Sequence, residues 1–495
     1  MTVAALLAAA LAHSAASAPA VTCTGVTHDS RIVRPGMVFV ALRGRQSDGA
    51  VFAAQAVQAG AAAVVAETPS PVAVAVPWIV VPDARVALAR LAALFFDRPS
   101  HAMTVVGVTG TNGKTTTSYL VRAIFEAAGI RCGLVGTVAY QIGDRVVEAT
   151  RTTPEAPEVQ ALLREMVDAG CGACAMEVSS HALALHRVHD IRFAAAVFTN
   201  LTRDHLDFHA DMEDYFAAKR RLFQMLPAGA PAIVNVDDPR GQALLDATPR
   251  VVSYGIAREA DVTPGSLAYT LAGLHFDVRT PWGPVRIESE LVGRPNVYNI
   301  LAAVAATMAV GVPREAAEAG IRSLSAVPGR FQRVSGSEDD IAVVVDYAHT
   351  DDALRNLLET ARLMAGRRLI TVFGAGGDRD RTKRPLMGMV AARLSDLVVI
   401  TSDNPRSEDP VRIVEEVERG AHAERRARNS EVITELDRET AITEAILRAQ
   451  PGDMVLIAGK GHEVYQEIRG RRLPFDDAAV ARKALEARRV QSRAS

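Results

Sequence analysis

The chain has 495 residues, 55 basic and 57 acidic, giving a formal net charge of −2, and is 49% hydrophobic but only 5% aromatic. That length favours about three domains with cores of Ala, Val and Leu, and the balanced charge argues against a nucleic-acid or membrane surface as the main partner. Four cysteines, Cys23, Cys132, Cys171 and Cys174, are too few for a disulfide framework and fit a reducing cytoplasm.

Residues 1–20 are alanine-rich, with small-residue runs that imitate a secretory cleavage site but no basic stretch before them. No other segment offers about 18 uninterrupted apolar residues, so we expect a soluble protein that opens on a helix and an entry strand. Residues 1–98 carry short apolar runs at 36–42 and 61–66 and read as a small α/β domain, closed near Arg98-Pro99-Ser100. Over 99–330, apolar runs at 104–108, 133–138, 175–178, 194–199 and 232–236 alternate with helical patterns that begin at Thr115 and span 157–169. Such alternation predicts βαβ units, hence a parallel sheet with helices on both faces and a ligand crevice at the carboxyl ends of its strands. Pro328-Gly329 ends this unit, and 331–495 repeats the pattern through 341–345, 369–373, 397–400 and 454–457. The expected fold class is therefore α/β in three domains, the central one a P-loop-type sheet and the C-terminal one Rossmann-like.

The run Val105-Val106-Gly107-Val108-Thr109 breaks into Gly110-Thr111-Asn112-Gly113 and then Lys114-Thr115-Thr116-Thr117. Glycines let the backbone curl with its N–H groups inward, the helix N-terminus adds partial positive charge, and Lys114 adds a full one, which makes a phosphate cradle. Thr115 follows the lysine where a hydroxyl can ligate the magnesium of a nucleoside triphosphate. The spacing is shorter than G-x-x-x-x-G-K-[ST], because Val108 stands where the first glycine is asked for. Two strand ends downstream are unusually polar. Met176-Glu177-Val178-Ser179-Ser180-His181 offers Glu177 as a magnesium ligand, and Thr199-Asn200-Leu201-Thr202-Arg203-Asp204-His205 offers His205. Cys171 and Cys174 form a C-x-x-C without the second pair or spaced histidines that a zinc site needs. Gly374-Ala375-Gly376-Gly377-Asp378-Arg379 hints at dinucleotide binding, but Arg379 occupies the last glycine position of G-x-G-x-x-G.

Taken together, the Gly110–Thr116 loop, the Glu177–His181 strand end and the run from Asn200 to Asp207 resemble the central domain of the Mur ligase family, and the likeness extends over essentially the whole chain. Asp403-Asn404-Pro405-Arg406 resembles the signature of those members that add meso-diaminopimelate to UDP-N-acetylmuramoyl-L-alanyl-D-glutamate. The resemblance implies a monomeric, cytoplasmic ligase of peptidoglycan synthesis that uses ATP and Mg²⁺, with Gly110, Thr111, Asn112, Gly113, Lys114, Thr115 and Thr116 on the phosphates and Glu177 and His205 on the metal. It makes Lys219, in Tyr215-Phe216-Ala217-Ala218-Lys219, a carbamylated lysine; Arg220, Arg221 and bound cations are expected to depress its pKa, so that the neutral amine captures carbon dioxide, and then to stabilise the carbamate. Asn299, Arg330, Asp346 and His349 would contact the nucleotide. Asp29-Ser30-Arg31 and the turn with Arg45, Gln46 and Ser47 would take the uridine diphosphate, and Thr152, Thr153, Ser179 and Arg187 the muramoyl dipeptide. Arg45 stands where some members have histidine and Leu185 where some have glutamine. Arg379, Asp403, Asn404, Pro405, Arg406, Gly459 and Glu463 would form the amino-acid site, where an arginine fork and a carboxylate suit a distal zwitterion. A member using lysine would not need Arg406. Other readings stay open at this stage: L-lysine addition, a folylpolyglutamate-type ligase, a regulatory P-loop NTPase, or a nicotinamide oxidoreductase.

Overall fold

The computed structural model describes residues 1–11, 20–44, 48–71, 73–246, 248–270, 273–428 and 430–494. Helix α1 (Val3–Leu11) precedes a four-stranded parallel sheet of β1 (Gly25–Thr27), β2 (Met37–Val40), β3 (Ala63–Ala66) and β4 (Trp78–Val80), in that order. Helices α2 (Ala53–Gln58) and α3 (Ala84–Phe95) cover it, α3 starting where the Asp83 carboxylate accepts from the N–H groups of Arg85 and Val86 at 2.9 Å. The helix and entry strand expected from the first residues are both present.

The second sheet runs β12-β11-β10-β5-β9-β6-β7-β8, built from β5 (Thr104–Thr109), β6 (Cys132–Val135), β7 (Ala139–Ile142), β8 (Arg145–Glu148), β9 (Ala173–Glu177), β10 (Phe193–Phe198), β11 (Ala232–Asn235) and β12 (Val251–Tyr254). Six neighbouring strands are parallel as expected, but β7 and β8 extend the edge as an antiparallel hairpin pair. Their sequence gave no warning, because the Gly143-Asp144 turn is short and β8 is mostly exposed. Along β5, Val106 and Val108 face a core shared with α4 (Lys114–Ala127), α9 (Arg294–Ala309) and α10 (Arg314–Ser323). Val105 faces the opposite core, shared with α5 (Ala156–Asp168) and α7 (Met212–Gln224). The short helices α6 (Ser180–Ala184) and α8 (Pro239–Gln242) follow β9 and β11. Leu120, Val121, Ile124 and Phe125 of α4 are at most 2% exposed, and each fully buried side chain of this kind contributes about 1.5–3 kcal/mol. That anchoring fixes the helix whose first turn carries Lys114.

A small antiparallel sheet, β13 (Thr263–Pro264), β14 (Ala268–Thr270), β15 (Gly273–Arg279) and β16 (Val285–Ser289), packs on the α9 side and was not foreseen. Its signal was present in β15, where Leu274, Phe276 and Val278 are buried and the residues between them are exposed.

The third sheet has the order β17-β18-β22-β19-β20-β21, from β17 (Gln332–Arg333), β18 (Ala342–Asp346), β19 (Leu369–Phe373), β20 (Leu397–Ile400), β21 (Glu431–Thr434) and β22 (Met454–Ala458). It is parallel apart from β17. Helices α11 (Asp351–Met364), α12 (Lys383–Leu394) and α13 (Pro410–Arg428) pack on one face, α14 (Arg438–Arg448) and α15 (Asp477–Ala494) on the other, and a hairpin of β23 (Tyr465–Ile468) and β24 (Arg471–Pro474) projects from the end of β22.

Candidate active site at the ends of two sheets

Strand register decides which loops meet. In the central sheet Val108 pairs with Glu177, Thr109 with Phe198 and Val135 with Met176, so the loops after β5, β6, β9 and β10 leave side by side. In the third sheet Ala458 pairs with both Asp346 and Phe373, which aligns the loops after β18, β19 and β22. Ligand crevices form where parallel strands end together.

Gly110 has φ +145° and Gly113 φ +88°, and a Cβ on them would lie 1.8 Å from Thr199 Oγ1 and 2.4 Å from Asn299 Oδ1. Only glycine fits either place. The loop is braced from β10: Thr199 Oγ1 donates to Asn112 O at 2.6 Å, Asn200 Nδ2 donates to the same oxygen at 3.1 Å, and Asn112 N donates to Asn200 Oδ1 at 2.9 Å. Thr111 Oγ1 donates to Thr202 O at 3.1 Å, and Thr116 is buried behind the loop. Lys114 Nζ donates to Gly110 O at 2.9 Å and Thr111 O at 2.8 Å, and Lys219 Nζ donates to Gly110 O at 2.7 Å. Two lysine side chains therefore converge on one carbonyl.

Lys219 lies on the inner face of α7 and is 1% exposed, with its Nζ 4.5 Å from the centre of the Tyr215 ring. Burial pushes its pKa well below the usual lysine range, the Lys114 charge adds to that, and Asp204 opposes both. The depressors expected from sequence were Arg220, Arg221 and bound cations. The structure instead sends Arg221 to Leu183 O at 3.4 Å and leaves the effect to burial and Lys114.

Glu177, 1% exposed, accepts from Thr137 N at 2.8 Å, Thr137 Oγ1 at 3.0 Å and Thr115 Oγ1 at 3.1 Å. Arg330 Nη2 donates to Thr115 Oγ1 at 3.1 Å, its guanidinium covers the Tyr347 ring at 4.7 Å, and its buried Nε lacks a partner. Magnesium takes carboxylate, hydroxyl and phosphate oxygens, and the Thr115–Glu177 pair beside the phosphate loop offers such a donor set. His205, at φ +55°, places Nε2 3.4 Å from Asp204 Oδ2, and burial pushes its pKa down. Among the described residues no three His, Cys, Asp or Glu side chains gather as a metal cluster.

Thr152 Oγ1 lies 3.0 Å from Thr137 Oγ1; Thr153 Oγ1 donates to Glu177 O at 2.8 Å and accepts from Ser179 N at 3.1 Å. Arg187 Nη1 donates to Thr153 O at 3.1 Å, Nη2 pairs with Glu155 at 2.7 Å, and its buried Nε lacks a partner. Leu185 closes α6, its N–H donating to His181 O at 2.9 Å. These four dipeptide candidates thus form one connected patch next to Glu177. Farther toward the N-terminus, Ser30 Oγ donates to Gln55 at 3.2 Å; Arg45, Gln46 and Ser47 lie outside the described residues.

At the third sheet, Asp346 accepts from Phe331 N and Ala348 N, both at 2.7 Å, so it braces the passage from Arg330 into this region. His349 Nδ1 lies 2.9 Å from Tyr347 O, and Asn299 Nδ2 donates to Asn296 at 2.9 Å. Asn404 Nδ2 donates to Glu463 Oε2 at 2.7 Å, and buried Lys460 Nζ lies 3.1 Å from Asn404 Oδ1, 3.3 Å from Glu463 Oε2 and 3.8 Å from Asp403 Oδ1. Burial raises the Glu463 pKa, as does Asp403, while Lys460 lowers it. Arg406, at φ +52°, donates to Gly377 O at 2.7 Å and lies 3.5 Å from Glu467. Left-handed backbone in a non-glycine residue is strain of the kind that concentrates at functional sites. Pro405 is buried beside it, Arg379 is exposed and donates to Asp378 O at 3.2 Å, and Gly459 has φ +113°. Arg406 and Glu463 each have an internal partner in this structure, Glu467 and Lys460.

The two sheets are joined across the cleft. Arg203 pairs with Asp351 at 3.0 Å and donates to Thr382 Oγ1 at 2.7 Å, and Asn112 Nδ2 donates to Asp352 Oδ2 at 3.3 Å. Sequence reasoning assigned no role to Thr137, Arg203, Lys383 or Lys460. A lysine between two glycines after a strand was a usable signal for Lys460; Lys383 sits in a basic run that reads as solvated surface.

Comparison with known proteins bears on this geometry. Models of the Mur ligase family catalytic domain, the Mur ligase middle domain and the Mur ligase glutamate ligase domain match residues 22–96, 108–307 and 329–461. The chain belongs to the Mur ligase family. It is 49% identical to the UDP-N-acetylmuramoyl-L-alanyl-D-glutamate–2,6-diaminopimelate ligase of Solibacter usitatus, over 94% of this chain and 93% of that protein. It is also 49% identical to the ligase of the same name from Gloeobacter violaceus, over 95% of each. A solved structure of a UDP-N-acetylmuramoyl-L-alanyl-D-glutamate–2,6-diaminopimelate ligase superposes with a TM-score of 0.67 at 36% identity, covering 94% of this chain and 96% of the other.

Proposed function

We propose that this chain is an ATP-dependent ligase that joins meso-diaminopimelate to the D-glutamate of UDP-N-acetylmuramoyl-L-alanyl-D-glutamate in peptidoglycan precursor synthesis. The relatives' shared activity supports this substrate pair. The observation that carries the chemistry is the meeting of Lys114, Lys219 and the Thr115–Glu177 pair around one glycine loop, facing the Asp403–Arg406 turn across a bridged cleft.

In this reading Lys114 and the loop N–H groups hold the ATP phosphates, while Thr152, Thr153, Ser179 and Arg187 hold the dipeptide with its γ-carboxylate toward them. The carboxylate attacks the γ-phosphorus and ADP leaves, giving an acyl phosphate. The amine then attacks the acyl carbon and phosphate leaves with the C–O electron pair. Lys114 is a preorganised charge where negative charge develops. Bound at Thr115 and Glu177, Mg²⁺ supplies charge neutralisation to the phosphates. Lys219, whose pKa burial and Lys114 push down, can lose its proton, add carbon dioxide and become a carbamate, which changes a buried amine into a carboxylate-like group beside Lys114. Arg406, Arg379 and Glu463 orient the amino acid, and the Arg203 and Asn112 bridges keep water from the acyl phosphate. The enzyme is read as a cytoplasmic monomer with divisions near residues 98 and 330; among the described residues no helix is long and apolar enough to cross a membrane.

Incubation with ATP, Mg²⁺, the UDP-muramoyl dipeptide and meso-diaminopimelate tests the reading. ADP, phosphate and a new amide should form in equal amounts. ATP hydrolysis indifferent to the precursor would mean a regulatory NTPase.

A further inference from the structure

Lys383 opens the twelve-residue helix α12 and is 7% exposed. Among the described residues it makes no hydrogen bond and no ion pair, although burying an ammonium without a partner is costly. Its charge is felt on both sides of the cleft. The charges that act on it come from Asp204, on the loop that follows β10, and from Asp403, Asp380 and Arg379 around the amino-acid loops. Thr382, the residue before it, is tied to Arg203 of the β10 loop, and α12 follows the β19 loop that carries Arg379, so Lys383 stands between the central-sheet loops and the amino-acid loops.

Neighbouring cations are committed elsewhere. Lys114 and Lys219 lean on Gly110 O, Arg330 on Thr115, and Lys460 on Asn404 and Glu463. The turn that carries Lys383 is held to the central sheet by Arg203, whose Nη1 lies 2.7 Å from Thr382 Oγ1 and 3.5 Å from Asp380 Oδ2. A buried ammonium and a tether from the opposite domain converge on one spot suited to an anion.

We propose that Lys383 is a catalytic residue that binds the phosphoryl oxygens of the acyl phosphate and the oxyanion formed as the amine attacks it. This rests on the ligase reading above. The ammonium keeps its protons throughout: the new C–N bond forms, the C–O bond to phosphate breaks with its electron pair leaving on phosphate, and the proton lost by the amine goes to solvent.

The test replaces diaminopimelate with hydroxylamine, which converts an acyl phosphate to a hydroxamate and has no carboxylate for the amino-acid site. In Lys383→Met, kcat should fall on the order of 10²-fold with either acceptor, the scale for removing one preorganised donor. The KM values for ATP, precursor and diaminopimelate should stay within about threefold, because the lost contact is made in the transition state. Lys383→Gln carries the same test if the methionine variant fails to fold. Wild-type turnover with hydroxylamine in a folded variant, or an unchanged kcat with a raised KM for diaminopimelate, would overturn the proposal and make Lys383 a carboxylate-binding or structural lysine. A wild-type enzyme that makes no hydroxamate from the UDP-muramoyl dipeptide and ATP would sink the ligase reading instead.

Discussion

At the mouth of the central sheet the lysines lean on backbone oxygens alone, Lys114 on Gly110 and Thr111 and Lys219 on Gly110, whereas at the mouth of the third sheet each cation also has a carboxylate beside it, Lys460 sharing Asn404 and Glu463 and Arg406 sharing Gly377 O and Glu467. A carbonyl is a weak partner for an ammonium, so a phosphate oxygen can replace it with a gain in charge. An ion pair surrenders its charge only to a ligand that satisfies both halves. The central site is thus built for a polyanion and the third for a zwitterion, and the difference lies in what each cation holds before substrate arrives.

The sharpest break of this contrast is Lys114→Ala, expected to lower kcat about 10²–10³-fold with the fold intact, as read by circular dichroism and phosphate release. Normal turnover would remove the phosphate-loop assignment. Next is Arg406→Ala, which should raise the KM for meso-diaminopimelate strongly, a loss of about 2–3 kcal/mol for truncating one half of a buried charge pair, with the KM for ATP unchanged. A smaller effect is expected from Arg203→Ala. It loosens the bridge between the sheets by about 1–2 kcal/mol, seen as roughly tenfold slower turnover and more hydrolysis of ATP without amide formation. Smallest is the pH response of stability. Burial pushes His349 and His462 down to about 4, below the usual imidazole value of about 6.5. Both are neutral in the folded state and bind protons more readily unfolded, so the stability present above about pH 6.5 is lost as pH falls toward 4. His462→Gln should flatten the decline in melting temperature over that range by about 2–4 °C.

What could be read from sequence and what could not follows from the distance between partners along the chain. The Gly110–Thr116 loop is contiguous, its chemistry is local, and α4 begins at Lys114, one residue before the expected Thr115. The strands at 369–373 and 397–400 match the expected bounds, because continuous Val, Ile and Leu runs mark strands buried on both faces. Roles that depend on distant partners were invisible. Thr137 meets Glu177 40 positions away, Lys460 meets Asn404 56 away and Arg203 meets Thr382 179 away. The pKa of Lys219 shows the same limit: adjacent Arg220 and Arg221 were the visible candidates, and the effective neighbour is Lys114. All four cysteines are buried and unpaired, in keeping with the expectation that they form no disulfide framework.

The most direct test of the contrast between the two mouths is the ratio of kcat/KM for meso-diaminopimelate and L-lysine, measured by phosphate release with the UDP-muramoyl dipeptide and ATP held saturating. Lysine brings no distal carboxylate to draw Arg406 from Gly377 O and Glu467, so it gains no charge-assisted bond from that fork. The account predicts lysine to be worse on the order of 10³-fold or more. Comparable efficiency on the two amino acids would contradict it.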